Sequence, residues 1–139
     1  MPDFRINLAV RDYECDLQEV VNNSTYFNYL EHARHEYLHY IGVNFTEMHN
    51  KGFDLVVTRA EADYKYPLTS GDKFYITVRM EQESRIRFAF YQDIHRASDD
   101  KLIMQAKIVG TSLDAKTGRP CLPEELKTAF AKTTSGQES

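Results

Sequence analysis

The sequence predicts an α+β domain in which one antiparallel sheet wraps around a single long helix. Three observations support this fold class: a short strand pattern opens the chain, one amphipathic helix follows it, and four longer strand patterns come after the helix. Strand patterns joined by short turns favour antiparallel pairing. A sheet and a helix that each carry one apolar face can bury those faces against each other, as layered domains do.

The first strand and the helix are defined by their periodicity. Apolar residues alternate with polar ones from Phe4 to Val10, which is the period of a strand with one buried face. The helical period of three or four follows, with these residues predicted to face inward: Tyr26, Leu30, Ala33, Tyr37 and Ile41. Capping side chains precede this stretch and Gly42 follows it, so we place the helix at about Asn23 to Ile41.

The remaining elements are predicted from strand patterns and turn residues. We expect a loop from Gly42 to about Gly52, and a short helix from Pro123 to about Lys132. Turn residues at 67–72 and 98–101 separate neighbouring strands. The predicted strands are Leu55–Tyr66, Phe74–Met80, Ile86–Ile94 and Leu102–Leu113.

Length and composition indicate one domain with one core. A chain of 139 residues is about the size of an ordinary domain, so we assign residues 1–132 to a single domain and expect a disordered tail at 133–139. The apolar fraction is 42%, and 9 Tyr and 8 Phe supply large side chains for the space between sheet and helix.

Charge and cysteine content restrict the partners and the compartment. The net charge is −4 and the basic residues are scattered, so we expect no nucleic-acid partner. No apolar stretch reaches the roughly 20 residues of a membrane span, so no membrane partner is expected either. The first residues lack the pattern of a secretory signal, and Cys15 and Cys121 are lone cysteines. These features predict a cytoplasmic protein.

The densest polar segment lies between the first strand and the helix, and it includes Asp16. A helix N-terminus offers unpaired N–H groups and a partial positive charge, which can stabilise the oxyanion formed when a thioester carbonyl is attacked. A nearby carboxylate can attack directly or draw a proton from water. On the residues alone, the favoured interpretation is that Asp16 only caps a turn or the helix, which is the usual role of Asp in loops.

A long motif runs from this segment into the helix: Asp16-x-x-x-Val20-Val21-Asn22-Asn23-x-x-Tyr26-x-x-Tyr29-x-Glu31-x-Ala33-Arg34. It resembles the signature of the 4-hydroxybenzoyl-CoA thioesterase-like hotdog family. The Val-Arg-Asp-Tyr string at residues 10–13 is similar to the start of bacterial and plastid acyl thioesterases. The predicted order of elements agrees with this resemblance over roughly Phe4 to Leu122.

The resemblance implies an acyl-CoA thioesterase of hotdog fold whose substrate is an acyl-CoA or an acyl-carrier-protein thioester. It implies that Asp16 is the catalytic carboxylate and that the helix amides around Asn23 to Tyr26 hold the carbonyl oxygen. No metal and no cofactor is implied, since coenzyme A enters as part of the substrate. The family also forms homodimers or homotetramers with each active site at a subunit boundary, and the open strand edges of a lone domain favour such pairing.

Glu19 departs from the family pattern, which has glycine at this position. If the position requires a positive φ, Glu19 costs local stability. If its side chain faces the acyl group, a second carboxylate could raise the pKa of Asp16 or narrow the pocket. Alternatively, Glu19 points to solvent and is tolerated. This departure motivates a second hypothesis, a catalytically weak acyl-CoA or acyl-carrier-protein binding module on the same fold.

A third hypothesis is a zinc hydrolase, because His35-Glu36-Tyr37-Leu38-His39 matches the H-E-x-x-H motif. Phe45 occupies the place where a third histidine ligand would be expected. The helical register also puts His35 and His39 on the polar face. A solvated or subunit-contacting helix face is therefore the favoured interpretation.

Three further groups of residues are open to both a functional and an ordinary structural interpretation. Arg85 and Arg87 are the candidates for binding the phosphates of coenzyme A, as a basic cluster at this point does in some hotdog thioesterases. Solvent-facing arginines are an equally good explanation.

Tyr64 and Tyr66 share a strand face with alanines, which favours core packing. Cys15 adjoins Asp16, but no base accompanies it, so a structural thiol is expected.

Overall fold

The computed structural model describes residues 4–129 and confirms the predicted α+β fold. A 3-10 turn at Asp12–Glu14 lies between the first strand and the long helix. The elements whose bounds lie within the described residues follow one another in this order: β1 Arg5–Ala9, α1 Asn23–Tyr40, α2 Phe45–Asn50, β2 Phe53–Tyr64, β3 Lys73–Gln82, β4 Arg87–Arg96, β5 Leu102–Asp114 and β6 Pro120–Cys121.

The strands form one antiparallel sheet in the spatial order β1-β3-β4-β5-β2, and β6 pairs with the end of β5. The strands β1 and β2 therefore form the two edges. The ladder between β2 and β5 has a bulge between Val57 and Arg59. Next to it, a Cβ on Gly110 would lie 2.8 Å from both the Phe88 ring and the Val56 carbonyl oxygen, so only glycine fits this close approach.

Helix α1 begins and ends where the sequence predicts. The side chain of Asn22 accepts a hydrogen bond from the backbone N–H of Ser24 at 3.0 Å, which caps the N-terminus. At the other end Gly42 takes a φ of 88°, a conformation that glycine adopts without steric cost. The predicted inward residues from Tyr26 to Tyr37 are buried, and Tyr29 and Leu38 join them.

A buried polar link joins α1 to the centre of the sheet. Gln92 on β4 is completely buried, and its amide donates to the carbonyl oxygen of Leu30 at 2.9 Å. The side-chain oxygen of Gln92 accepts a hydrogen bond from the Arg34 guanidinium at 3.1 Å. Because both polar ends of Gln92 are paired, the link fixes the helix on the sheet without an unsatisfied buried group.

Several element boundaries differ from the predictions. The expected loop at 42–52 contains α2, a helix capped by Asn44, whose side chain accepts from the N–H of Glu47 at 2.9 Å. Strand β6 and the 3-10 turn were not predicted, and β4 begins at Arg87 because residues 84–86 form the turn before it.

The C-terminal predictions are tested only in part. Residues 124–129 are helical, with Leu126 and Ala129 buried, which agrees with the predicted start of the last helix. Its predicted end near Lys132 and the predicted tail at 133–139 lie outside the described residues. No helix of the described part of the chain is long and apolar enough to cross a membrane.

Candidate active site

The segment between β1 and α1 folds back on itself to form a pinned turn at residues 15–21, called here the Asp16 turn. Cys15 and Val21 form an antiparallel bridge across its base. Inside that bridge, the backbone N–H of Asp16 donates to the carbonyl oxygen of Val20 at 2.9 Å. The backbone at Asp16 is therefore fixed in place by hydrogen bonds on both sides of the turn.

The Asp16 turn is attached to the segment that leads into β3. Val20 pairs with Thr69, and the N–H of Val21 donates to the carbonyl oxygen of Leu68 at 2.9 Å. Leu68 is fully buried. These bonds hold the turn at the end of the sheet where β3 begins and α1 begins.

The Asp16 side chain is exposed and caps its own turn. One carboxylate oxygen accepts a hydrogen bond from the backbone N–H of Gln18 at 2.9 Å. This is the turn-capping role that the residues alone predicted as an alternative to catalysis. The two roles are compatible, because an ionised carboxylate has about four acceptor positions and this bond uses one of them.

The N-terminus of α1 keeps one backbone donor without a protein acceptor. The N–H of Asn22 donates to the carbonyl oxygen of Glu14 at 3.0 Å, that of Ser24 to the Asn22 side chain, and that of Thr25 to the Asn22 carbonyl oxygen at 3.0 Å. No group of residues 4–129 accepts a hydrogen bond from the N–H of Asn23. This donor lies at the positive end of the helix and is available to a ligand oxygen.

Tyr26 is buried, and its side chain has a structural partner. The backbone N–H of Leu68 donates to the Tyr26 hydroxyl at 3.0 Å. Burial is the main cause that raises the pKa of Tyr26, so its phenol stays protonated. The side chain thus ties the start of α1 to the segment that also holds the Asp16 turn.

Glu19 adopts a φ of 65°, in the left-handed region that favours glycine. The strain was expected if this position requires a positive φ, because the family has glycine where this chain has Glu19. Glu19 is also exposed, as the alternative expectation proposed. The residue therefore combines a strained backbone with a side chain open to solvent.

The expectation that Tyr64 and Tyr66 pack in the core is wrong. They are 48% and 44% exposed. Tyr64 instead reaches the start of α1, where its ring meets that of Tyr26 at a centroid distance of 5.5 Å. Its hydroxyl donates to the carbonyl oxygen of Asn23 at 3.4 Å.

Arg87 lines a surface pocket of about 420 Å³, together with Thr58, Arg59, Glu83, Ser84 and Val109. Arg85 is exposed in the turn before β4. This pocket lies at the end of β3 opposite the Asp16 turn. Ten residues of strand separate the two ends of β3, about 30 Å at the usual rise per residue. One protomer therefore does not bring Arg85 or Arg87 together with Asp16.

The H-E-x-x-H motif lies on the exposed face of α1. His35, Glu36 and His39 are all exposed, and the ring of His35 packs against Phe45 of α2 at a centroid distance of 5.1 Å. Within residues 4–129, no three His, Cys, Asp or Glu side chains are grouped closely enough to hold a metal ion. The packing of His35 on α2 agrees with the structural interpretation of this face.

Cys15 lies beside Asp16, but its environment disfavours a thiolate. Partial burial is the largest cause that raises the pKa of Cys15, and the neighbouring carboxylates of Asp12, Asp16 and Glu14 raise it further. Since the thiolate is the nucleophilic form, this shift agrees with the structural role predicted for the thiol.

One contact beside the Asp16 turn, between Tyr29 of the motif and Glu14, was not predicted from the sequence. Tyr29 is buried on α1, and its hydroxyl donates to the Glu14 carboxylate at 2.8 Å. Its spacing of three residues after Tyr26 was a usable signal for the buried face. The sequence held no comparable signal for Glu14, because its partner is fifteen positions away.

An antiparallel sheet wrapped around one long helix is the hotdog fold, and in this chain the turn before that helix carries Asp16. The model of the Thioesterase-like superfamily matches residues 10–130 of this chain. The chain belongs to this superfamily, which confirms the family predicted from the Asp16 motif.

Individual relatives agree with this assignment. The chain is 36% identical over 125 residues to an acyl-acyl carrier protein thioesterase of Arabidopsis thaliana that is described as chloroplastic. That match covers 90% of this chain and 66% of the plant protein, so the chain spans just under two thirds of this relative's length.

Solved structures show the same fold. A 1,4-dihydroxy-2-naphthoyl-CoA thioesterase from Synechocystis superposes with a TM-score of 0.86 at 20% identity, covering 94% of this chain and 96% of the other. A hypothetical protein from Aquifex aeolicus superposes with a TM-score of 0.82 at 29% identity, covering 91% and 98%. These likenesses extend over the whole described domain.

Proposed function

We propose that this protein hydrolyses acyl thioesters to a free acid and a thiol. The observation that carries the proposal is the free N–H of Asn23 at the start of an 18-residue helix, directly after the turn that holds Asp16. A free backbone N–H and a carboxylate at one end of the sheet support this reaction, in which we propose the N–H as the oxyanion donor and Asp16 as the catalytic carboxylate. Membership of the Thioesterase-like superfamily supports the same reaction.

In the proposed reaction the thioester carbonyl oxygen binds the N–H of Asn23. Attack on the carbonyl carbon moves negative charge onto that oxygen, where the N–H and the positive end of α1 stabilise it. Asp16 either takes a proton from the attacking water or attacks the carbonyl carbon itself to give an anhydride that water then opens. In the general-base route the tetrahedral intermediate expels the thiolate as the carbonyl re-forms as the acid, and the proton held by Asp16 passes to the thiolate. In the nucleophilic route the thiolate leaves as the anhydride forms, and water then releases the acid and regenerates Asp16. The geometry is compatible with both routes.

The nucleotide end of the substrate is proposed to bind at Arg87, with Arg59 and Ser84 beside it in the same pocket. Because Arg87 and Asp16 lie at opposite ends of one protomer, a single substrate would contact Asp16 of one protomer and Arg87 of another. The open edge strand β2 supports a homodimer, since its long exposed backbone is able to pair with a second copy. Dimers can associate further into a homotetramer.

A catalytically weak binding module on the same fold is the second candidate, favoured by Glu19. Its positive φ adds strain to the turn that carries Asp16, and its carboxylate adds negative charge close to it. Thioester binding without turnover would result if Asp16 is held away from the carbonyl.

A reducing compartment such as the cytoplasm is proposed from the cysteines. Cys15 and Cys121 are both free, and each is partly exposed. The chloroplastic description belongs to the Arabidopsis relative and shows that a related protein functions in a plastid.

Thiol release from a panel of straight-chain acyl-CoAs, aromatic acyl-CoAs and acyl-carrier-protein thioesters tests the proposal. We expect at least one thioester to be hydrolysed with kcat/KM of about 10⁴ M⁻¹ s⁻¹ or more, the lower end of the usual range for enzymes. The best substrate would also identify the acyl group and the carrier. If the protein binds a thioester but releases thiol from none, the binding module replaces the enzyme.

A further inference from the structure

Glu14 connects the Asp16 turn to the buried side of α1. Its side-chain oxygen accepts two hydrogen bonds at 2.8 Å, one from the backbone N–H of Arg11 and one from the Tyr29 hydroxyl. Its carbonyl oxygen accepts the N–H of Asn22, which caps α1. Glu14 therefore fixes both the segment that leads into the Asp16 turn and Asn22, the N-cap residue of α1.

Tyr29 is a rigid donor for this connection. It is 7% exposed, and its ring packs against Phe74 of β3 at 4.8 Å and edge-on against Tyr26 at 6.2 Å. Burial, followed by the hydrogen bond to Glu14, raises the pKa of Tyr29, so the phenol stays protonated and donates a hydrogen bond to the carboxylate. A hydrogen bond to a charged acceptor is stronger than one between neutral groups.

We infer that the Tyr29–Glu14 hydrogen bond is a positioning device that sets the Asp16 carboxylate relative to the free N–H of Asn23. This inference rests on the proposed function. Asp16 and Asn23 both lie between Glu14 and Tyr29 in the sequence. Asp16 follows Glu14 by two residues, and Asn23 follows Asn22, whose N–H donates to the Glu14 carbonyl oxygen. Neither Tyr29 nor Glu14 takes part in the chemistry.

The inference predicts a specific effect on catalysis. A displacement of about 1 Å between reacting groups can cost up to a hundredfold in rate. Tyr29→Phe keeps the ring and its packing but removes the hydroxyl. We expect it to lower kcat about tenfold or more while KM changes little, since the substrate-binding surfaces remain. Glu14→Ala should act in the same direction, and Glu14→Gln should retain most of the activity because its amide oxygen still accepts hydrogen bonds.

Tyr75→Phe is a matched control. The Tyr75 hydroxyl also donates to a carboxylate at 2.8 Å, that of Asp100, but Tyr75 is stacked on His95 and lies away from α1. The same chemical change there should leave kcat unchanged. If Tyr29→Phe and Glu14→Ala lower the unfolding temperature but leave kcat at the wild-type value in folded protein, the hydrogen bond is merely structural and the inference is wrong.

Amide hydrogen exchange makes the test independent of turnover. In Tyr29→Phe, the amides of Asp16 and Asn22 should exchange faster than in wild type, while that of Ile76 in β3 stays protected. Unchanged exchange at Asp16 and Asn22 would overturn the positioning role. Absence of thioesterase activity in wild type would instead overturn the proposed function, whatever the exchange result.

Discussion

Glu19 adopts a backbone conformation that its own side chain makes unfavourable. A non-glycine residue in the left-handed region costs on the order of 1–2 kcal/mol, and Glu19 has no compensating side-chain hydrogen bond within the described residues. This conformational strain lies in the turn that holds Asp16. Glu19 is therefore a residue at which a change of backbone strain can be tested together with activity.

We predict that Glu19→Gly stabilises the protein by about 1 kcal/mol. The relief of backbone strain favours the folded state by more than the added entropy of the unfolded chain opposes it. Urea unfolding measures this change. Glu19→Ala is the matched control, since it removes the carboxylate but keeps the Cβ and hence the strain. If only Glu19→Gly raises kcat, backbone strain limits the enzyme, whereas an equal gain in both variants would attribute the effect to charge. Equal stability of Glu19→Gly and Glu19→Ala would contradict the strain argument.

The elements show which parts of the fold the sequence determines locally. Helix α1 was predicted to within one residue at its end because five inward positions repeat with the helical period and Asn22 and Gly42 delimit it. Helix α2 has only six residues, too few to show a period, and β6 has two. Tyr64 and Tyr66 were wrongly predicted to be buried, because sequence alternation shows which residues share a face of a strand but not whether that face is covered.

Two helix caps provide a paired prediction at this scale. Asn22→Ala and Asn44→Ala each remove a side-chain acceptor from a helix N-terminus, and each should cost about 1 kcal/mol of unfolding free energy. Only Asn22 caps the helix that presents the N–H of Asn23. We therefore expect Asn22→Ala alone to lower kcat, measured by thiol release. Equal activity losses in both variants would indicate a general stability effect.

At the scale of the whole molecule, one protomer separates the two parts of the proposed substrate site. The pairing register of the sheet puts Asp16 near the start of β3 and Arg87 beside Glu83, past the end of β3. The sequence suggested both residues through the family resemblance but gave no distance between them. Long-range pairing sets that distance, so the proposed substrate site requires a second protomer to bring Arg87 to Asp16.

Subunit mixing tests this arrangement. If Asp16 and Arg87 act on one substrate from different protomers, a mixed dimer of Asp16→Asn and Arg87→Ala contains one intact site. Co-expression of the two variants should then restore about a quarter of wild-type activity, since half of the dimers are mixed and each has one working site. Activity no higher than the mean of the two parent variants would show that each site lies within one protomer. Light scattering on the wild type would distinguish dimer from tetramer.

The candidate site was only partly predictable from the sequence. The motif located Asp16 and the start of α1, because neighbouring residues carry that signal. The contact between Glu14 and Tyr29 was not predicted, because it depends on how the turn folds back on α1. The free N–H of Asn23 became evident only when the neighbouring donors had been assigned to their acceptors.

The most direct test of the central claim is thiol release by Asp16→Asn compared with Asp12→Asn. Asparagine at position 16 can still accept the hydrogen bond from Gln18, so the turn should keep its shape while the carboxylate is lost. Asp12 is a second exposed carboxylate four residues away, hydrogen-bonded to Ser70, and provides the matched change. We predict that Asp16→Asn lowers kcat/KM about a hundredfold or more and that Asp12→Asn leaves it nearly unchanged. Wild-type activity in a folded Asp16→Asn protein would contradict the account.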